Sequence, residues 1–82
     1  MKQDENFFVT SDLNISAVLV ALNFPLTHLE RQPGGRASFF FRSSPAVKKA
    51  IQDFWEQRLT LHPQKIFDSL KFLKNRLHSP DF

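Results

Sequence analysis

The hydrophobic and polar positions follow a pattern that changes along the chain from strand-like to helix-like spacing. The first apolar run, Phe7-Phe8-Val9, is β-prone and ends at Thr10-Ser11-Asp12. Side-chain oxygens of these polar residues can accept hydrogen bonds from the free amides at the start of a helix. The pattern therefore predicts a short strand followed at once by a helix.

This first helix is predicted to be apolar on nearly every side. On a helical wheel Ile15 and Leu19 lie away from Ala17, and only a narrow polar strip remains at Ser16 and Asn23. A helix with so little polar surface has to be covered on more than one side. We interpret it either as the central helix of the fold or as an oligomer interface, with Ile15 and Leu19 as candidate interface residues.

A Pro-Gly-Gly sequence at 33–35 separates two strand-like segments, 26–32 and 36–42. A short Pro/Gly loop between such segments is typical of a β-hairpin whose turn needs positive φ. Because side chains alternate along a strand, Phe39 and Phe41 are predicted to face the core. Phe40 then lies on the opposite face.

Two further helices follow the hairpin. Ser44-Pro45 is a favourable helix start, because serine can cap and the missing amide of proline costs nothing at the first position. After an extended stretch, Pro63 opens a last helix with an apolar stripe that runs from Ile66 to Leu77. The predicted fold is α+β, of order β-α-β-β-α-α, with a small antiparallel sheet of the hairpin and the N-terminal strand packed against three helices.

The predicted core combines the inward positions of all these elements. We expect residues 7–78 to form a single compact domain, residues 1–6 a flexible N-terminus and residues 79–82 a C-terminal tail. The predicted core residues are Phe8, Leu13, Ala17, Val20, Phe24, Leu29, Phe39, Phe41, Val47, Ile51, Phe54, Ile66, Leu70 and Leu73.

The length and composition limit how this fold can be stabilised. A chain of 82 residues suffices for one core and not for two. It has no cysteine, so disulfides and thiolate metal clusters contribute nothing, and ten phenylalanines supply most of the apolar material. The N-terminus is polar and the longest apolar run is far shorter than the roughly 20 residues that span a bilayer. We expect a soluble, cytoplasmic protein with no membrane partner.

Charge is distributed unevenly along the chain. Residues 1–30 carry one lysine against four acidic residues, a net charge of −3, whereas residues 31–82 carry ten basic and four acidic residues, a net charge of +6. The sum of +3 is small for a dedicated nucleic-acid-binding protein. The basic half is equally well explained as a solvated helical surface.

No catalytic or metal-binding pattern is recognisable in the sequence. The chain has no cysteine nucleophile, and Ser43-Ser44 fits a helix cap better than a catalytic serine. The three histidines are scattered, and common zinc sites need three or four convergent ligands. We therefore expect no enzyme activity, no metal, no cofactor and no small-molecule substrate.

The hairpin provides one candidate binding site. Basic side chains interleaved with an aromatic on a sheet face can bind single-stranded nucleic acid through stacking and charge. The order of the first elements parallels that of an RNA recognition motif, although the glycine-rich signature of that motif is missing. The candidate nucleic-acid contacts are Arg31, Arg36, Phe40 and Arg42.

The last helix provides a competing site. Phe72 lies well off the apolar stripe, on the same side of the helix as Lys65 and Arg76. An exposed aromatic in such surroundings suits a protein interface. Together with Ile15 and Leu19 on the first helix, it favours a non-catalytic protein-binding or self-assembly module whose partner is another protein or a second copy. Accessory nucleic-acid binding by the hairpin is the alternative.

Five short motifs are distributed along the chain: Phe8-Val9-Thr10-Ser11-Asp12-Leu13, Asn23-Phe24-Pro25-Leu26, Phe39-Phe40-Phe41, Phe54-Trp55 and Phe67-Asp68-Ser69-Leu70-Lys71-Phe72-Leu73-Lys74. Together they resemble a family of small bacterial and phage proteins catalogued as a domain of unknown function. The resemblance extends from about Phe7 to Leu77 and implies a compact stand-alone domain, without an activity, cofactor or site residue to transfer. Where that family often has a glycine, this chain has Asn23, which also tolerates left-handed geometry.

Overall fold

The structure, a computed structural model, describes residues 6–78 and has the predicted α+β architecture. The predicted N-terminal segment, apart from Asn6, and the predicted tail 79–82 lie outside the described residues. The elements in chain order are β1 (Phe7–Thr10), α1 (Leu13–Ala21), β2 (Leu26–Arg31), β3 (Ala37–Arg42), α2 (Pro45–Trp55) and α3 (Pro63–His78), which confirms the order β-α-β-β-α-α.

The first two helices begin at the predicted caps. An oxygen of the Asp12 carboxylate accepts hydrogen bonds from the amides of Asn14 and Ile15, at 2.8 and 3.0 Å. The Ser44 hydroxyl accepts from the Val47 amide at 3.1 Å. These side chains satisfy amides that have no partner within the first helical turn, so the helix starts are fixed by local chemistry.

Both of these helices end in a Schellman motif. At the end of α1 the amide of Phe24 donates to the carbonyl of Leu19, and the amide of Asn23 donates to Val20. Asn23 has φ = 73°, the left-handed geometry expected of a residue that replaces glycine. Gln57, at φ = 60°, occupies the same position after α2.

The three strands form one antiparallel sheet in the order β1-β3-β2. The hairpin turn is a short 3₁₀ segment, Pro33–Gly35, in which Gly34 and Gly35 have φ of 86° and 82°. The predicted need for positive φ in this turn is thus confirmed, and it is a geometry that glycine adopts without strain.

A β-bulge interrupts the pairing of β2 with β3. Leu26 pairs with Phe41 and His28 with Phe40, so Thr27 is one extra residue on β2. Its hydroxyl donates to the carbonyl of Phe40 at 2.8 Å. Because a bulge shifts the alternation of side chains by one position, Leu26 faces the core and Thr27 remains exposed.

All three helices lie on one face of the sheet. Inward-facing Leu29, Phe39 and Phe41 share a single core cluster with buried residues of α1, α2 and α3. The Cα atoms extend over 36 × 35 × 19 Å, and the smallest of these dimensions fits one sheet and one helix layer. Within residues 6–78 no helix has the length and apolar character needed to cross a membrane.

α1 is the central helix of this layer and not an interface. Ile15 and Leu19 are 8% and 0% exposed, because α2, α3 and the sheet together surround α1. Their prediction as interface residues is therefore wrong for this fold. The predicted polar strip is also absent at Ser16, whose buried hydroxyl donates to the carbonyl of Asp12 in its own helix.

α1 and α3 run antiparallel and contact each other through small side chains. Ala21 near the end of α1 shares a cavity wall with Lys65 near the start of α3. Ser69 on α3 is 6% exposed, and its hydroxyl donates to the carbonyl of Lys65 at 2.8 Å. Buried serines that bond within their own helix leave no unsatisfied polar atom, and their small size lets the two helices approach closely.

Most of the predicted core is confirmed. The buried part of it comprises Ala17, Leu29, Phe39, Phe41, Val47 and Leu73. A partly buried shell packs against this cluster and comprises the predicted residues Phe8, Leu13, Val20, Phe24, Ile51, Phe54 and Leu70. The predicted core residue Ile66 is partly buried but belongs to neither group. The prediction missed Ile15, Leu19 and Ala50, all of which belong to the cluster.

Candidate functional site: the open face of the sheet

The face of the sheet that points away from the helices carries a group of aromatic and charged side chains. Strand pairing places Val9, Phe40 and His28 in one row across β1, β3 and β2. Phe7 and Arg42 form the neighbouring row at one end, and Glu30 and Ser38 form the row at the other. We call the following residues the outer-face patch: Phe7, Val9, His28, Glu30, Phe40 and Arg42.

Ring contacts connect these side chains across all three strands. The Phe40 ring lies edge-on to the Phe7 ring at 6.1 Å between centroids and to the His28 ring at 5.2 Å. The Arg42 guanidinium carbon lies 5.7 Å from the centroid of the Phe7 ring. Edge-to-face aromatic pairs and a cation over a ring are favourable arrangements, so the rings hold one another in place on an otherwise open surface.

The patch has an apolar centre and a polar rim. Val9, an apolar residue of the central row, is 42% exposed, and Phe7 and Phe40 are partly exposed. Nε2 of His28 lies 3.6 Å from Oε2 of Glu30, with both side chains more than half exposed. Within residues 6–78, no helix covers these side chains.

The structure separates the four candidate nucleic-acid contacts. Phe40 and Arg42 belong to the outer-face patch, whereas Arg36 lies beside the hairpin turn. Six residues along a strand span about 20 Å, so Arg36 and Arg42 occupy opposite ends of β3. Arg31 pairs with Ala37 and points toward the helix layer, because Leu29 on the same face is buried. The four residues therefore do not form one cluster.

Arg31 binds the end of α3. Its Nε donates to the carbonyl of Leu77 at 3.1 Å, and its Nη2 donates to the carbonyls of Arg76 and Leu77 at 3.0 and 2.6 Å. The last carbonyls of a helix have no partner within the helix and carry partial negative charge. A guanidinium is well suited to this position, so Arg31 caps α3 from a different element of the fold.

We predict that Arg31→Ala lowers the free energy of unfolding by about 1 to 2 kcal/mol, since it removes charge-assisted hydrogen bonds at a partly solvated helix end. Urea denaturation measures the change. Arg36→Ala is the matched control and should change stability by less than about 0.5 kcal/mol, because its exposed side chain makes no hydrogen bond within the described part of the chain. Equal losses in the two variants would contradict the capping role.

The predicted interface residues of α3 are less convergent than the outer-face patch. Phe72 is 40% exposed, and the guanidinium carbon of Arg76 lies 5.8 Å from its ring centroid, one helical turn away. Lys65 lines a separate cavity beside α1. Phe67 is 59% exposed but lies five residues from Phe72, which on a helix is about 140° away. These aromatics are therefore isolated from one another.

Two cavities near the hairpin turn are lined by none of the patch residues. Two adjoining cavities of about 210 and 310 Å³ at the hairpin end share Arg36 and Leu77 as lining residues. Arg31 lines the larger of the two, but its guanidinium already binds the carbonyls of α3. Among the residues that the structure describes, no three His, Asp or Glu side chains are grouped closely enough to hold a metal ion.

Four residues of the patch were not predicted from the sequence, namely Phe7, Val9, His28 and Glu30. Alternation around the inward-facing Phe8 would have placed Phe7 and Val9 outward, and counting back from the hairpin turn would have placed His28 opposite Phe40. The pairing of β1 with β3 has no comparable local signal. It joins segments about 30 residues apart, so only the tertiary structure shows that Phe7 and Val9 lie beside Phe40 and Arg42.

The comparisons with known proteins give a family and no activity. No curated protein and no solved structure matches the chain. A family of unknown function matches residues 5–79, which include every helix and strand described above. The chain belongs to the family described as Domain of unknown function (DUF5659).

Proposed function

We propose that this chain is a non-catalytic binding module that recognises a protein through the outer-face patch. The observation that carries the proposal is the continuous set of ring contacts from His28 through Phe40 to Phe7, on a sheet face that the described helices leave open. The cysteine-free composition and the family resemblance support a cytoplasmic module of a bacterium or phage.

The composition of the patch favours a protein over other partners. Single exposed apolar residues are common on protein surfaces, whereas a contiguous group with an aromatic centre and a polar rim is typical of protein interfaces. The rim contains one cation, Arg42, and one anion, Glu30. A partner with both apolar and mixed-charge surface would match it.

Nucleic acid is the second candidate, because a base can stack on Phe40 or Phe7 while Arg42 contacts a phosphate. The number of cations is small, however. Arg31 is engaged at α3 and Arg36 is about 20 Å from Arg42, so the backbone of a nucleic acid would find one arginine where three were predicted. The patch thus suits a protein better than a polyanion.

Site-specific photo-crosslinking in the cells that naturally produce the chain tests this proposal. p-Benzoyl-phenylalanine replaces Val9 at the centre of the patch or, as the matched control, Trp55, which is 63% exposed on α2. We expect a discrete protease-sensitive adduct from position 9, none from position 55, and loss of the adduct when Phe40→Asp is added.

Two other crosslinking results would contradict the proposal. A nuclease-sensitive adduct from position 9 would replace the protein partner by nucleic acid. An adduct of equal yield from both positions, or none from position 9 while the chain is folded and expressed, would refute recognition through this face.

A further inference from the structure

The charge on the outer-face patch reverses along β3 around Phe40. Arg42 lies two residues beyond Phe40 toward one end of the sheet, beside Phe7. Glu30 and Ser38 lie in the row two residues away toward the other end. The patch therefore has an apolar centre with a positive row on one side and a negative row on the other.

We infer that the partner bound by this patch is a second copy of the chain, which approaches face to face around a two-fold axis. The axis lies midway between the two stacked sheets, directly above the central row. It runs parallel to the sheets and perpendicular to the strands. This symmetry reverses the strand direction of the partner, so Arg42 of each copy faces the row that holds Glu30 in the other. Phe40 meets its own counterpart at the centre, as an isologous interface requires.

Electrostatics select this arrangement over the other two-fold arrangement of stacked sheets. An axis parallel to the strands would place Arg42 opposite Arg42 and would keep both Glu30 side chains at the same end of the dimer, and such like-charge arrangements are unfavourable. The perpendicular axis exchanges the ends of the sheet and gives opposite charges at both. Each charge pair then occurs twice, once for each copy.

The dimensions permit these contacts. Sheets that pack face to face are about 10 Å apart, and neighbouring strands within a sheet are about 4.8 Å apart. An arginine and a glutamate together span about that separation when they approach from opposing sheets. Val9 and Phe40 supply the apolar contacts between the two charged rows, and Phe7 adds an apolar side chain within the Arg42 row.

The size of the patch predicts a weak dimer. Three strands and about five residues along each give a face of roughly 15 × 15 Å, well below the ~800 Å² that each partner contributes to a standard interface. We therefore expect a weak, transient dimer with a dissociation constant between about 10 μM and 1 mM. The inference rests on the proposed use of the patch as a protein interface.

Sedimentation equilibrium of the full chain, from about 10 μM to 1 mM, tests the inference through charge reversal. Arg42→Glu and Glu30→Arg are each expected to weaken dimerisation at least tenfold, because each creates two like-charge contacts. The double variant restores opposite charges at both positions and should recover most of the affinity. Arg36→Glu, which makes the same charge change outside the patch, is the matched control and should leave the dissociation constant within threefold.

Two more variants separate this dimer from other assemblies. Phe40→Asp should abolish the dimer while the circular dichroism spectrum stays native, and Phe72→Asp should leave the dimer intact. A wild-type chain that remains monomeric at 1 mM, a double variant that stays as weak as the single ones, or a dimer lost in Phe72→Asp would each overturn the inference. A patch adduct with a different protein, alongside a monomeric chain, would overturn the second copy and leave the proposed protein-binding function standing.

Discussion

Phe41→Ala should lower the free energy of unfolding by about 3 to 5 kcal/mol, the range for removing a buried phenylalanine ring. Phe41 is 0% exposed and lies on β3, the central strand, where it pairs with Phe8 on one side and Leu26 on the other. Surrounding side chains from two layers cannot all collapse into the space that the ring leaves. For a domain of this size the loss is comparable to the whole stability, so the variant should be largely unfolded near its working temperature.

Urea denaturation followed by circular dichroism measures this loss, and Phe67→Ala is the matched control. Phe67 is 59% exposed, so the same substitution there should cost less than about 0.5 kcal/mol. If Phe41→Ala is unfolded even without urea, Phe41→Leu provides a milder variant with an expected loss of about 1 to 2 kcal/mol. A loss below about 1 kcal/mol in Phe41→Ala would show that β3 does not face the core in this register.

Leu19→Asp should prevent folding altogether. Leu19 is 0% exposed in the second half of α1, and an ionised carboxylate without a partner costs several kcal/mol in such surroundings. The result distinguishes the two interpretations of this all-apolar helix. A core residue cannot accept the charge, whereas an interface residue accepts it and only the association is lost.

Far-ultraviolet circular dichroism and light scattering together distinguish these outcomes. Phe72→Asp introduces the same charge at a position that is 40% exposed, and it should retain the native spectrum and melting transition. Leu19→Ala, with an expected loss of about 2 to 5 kcal/mol, measures the same site without a charge. A folded Leu19→Asp chain with a reduced mass would show that α1 forms an interface after all.

The element order was predictable from the sequence because each boundary has its own local chemistry. Asp12 and Ser44 cap the first two helices, and the glycines at 34 and 35 provide the positive φ of the hairpin turn. These signals act over three or four residues, so they are readable in the chain itself. The inward positions of β3 followed from alternation for the same reason.

The role of α1 was not predictable from its pattern. A helix that is apolar all round fits a central position as well as an interface, and the number of neighbours decides between them. That number depends on α3, which returns antiparallel to α1 from a position about 50 residues later. The burial of Ser16 was not predictable from its polarity either. Its hydroxyl donates to the carbonyl of Asp12, so it can be buried with its hydrogen bond satisfied.

The candidate site was only half predictable. Phe40 was placed on the outer face by alternation, and Arg42 was placed with it. Arg31 was assigned to the same surface because all basic residues of the hairpin were grouped together, whereas its position in the register turns it toward α3. The spacing of Leu26 and Leu29 carries a signal of the bulge, because two apolar residues three apart can share one strand face only if an extra residue lies between them.

The bulge at Thr27 also bears on how this sheet avoids uncontrolled growth. β2 is an edge strand, and a regular edge presents unpaired amides and carbonyls that can template a strand from another chain. The extra residue breaks the repeat of those groups, and His28, Glu30 and Arg31 add polar and charged side chains along the same strand. The opposite edge, β1, is only four residues long. Strand addition and aggregation are thus disfavoured at both edges. Two chains can then associate through side chains of the outer-face patch without forming backbone hydrogen bonds between their sheets.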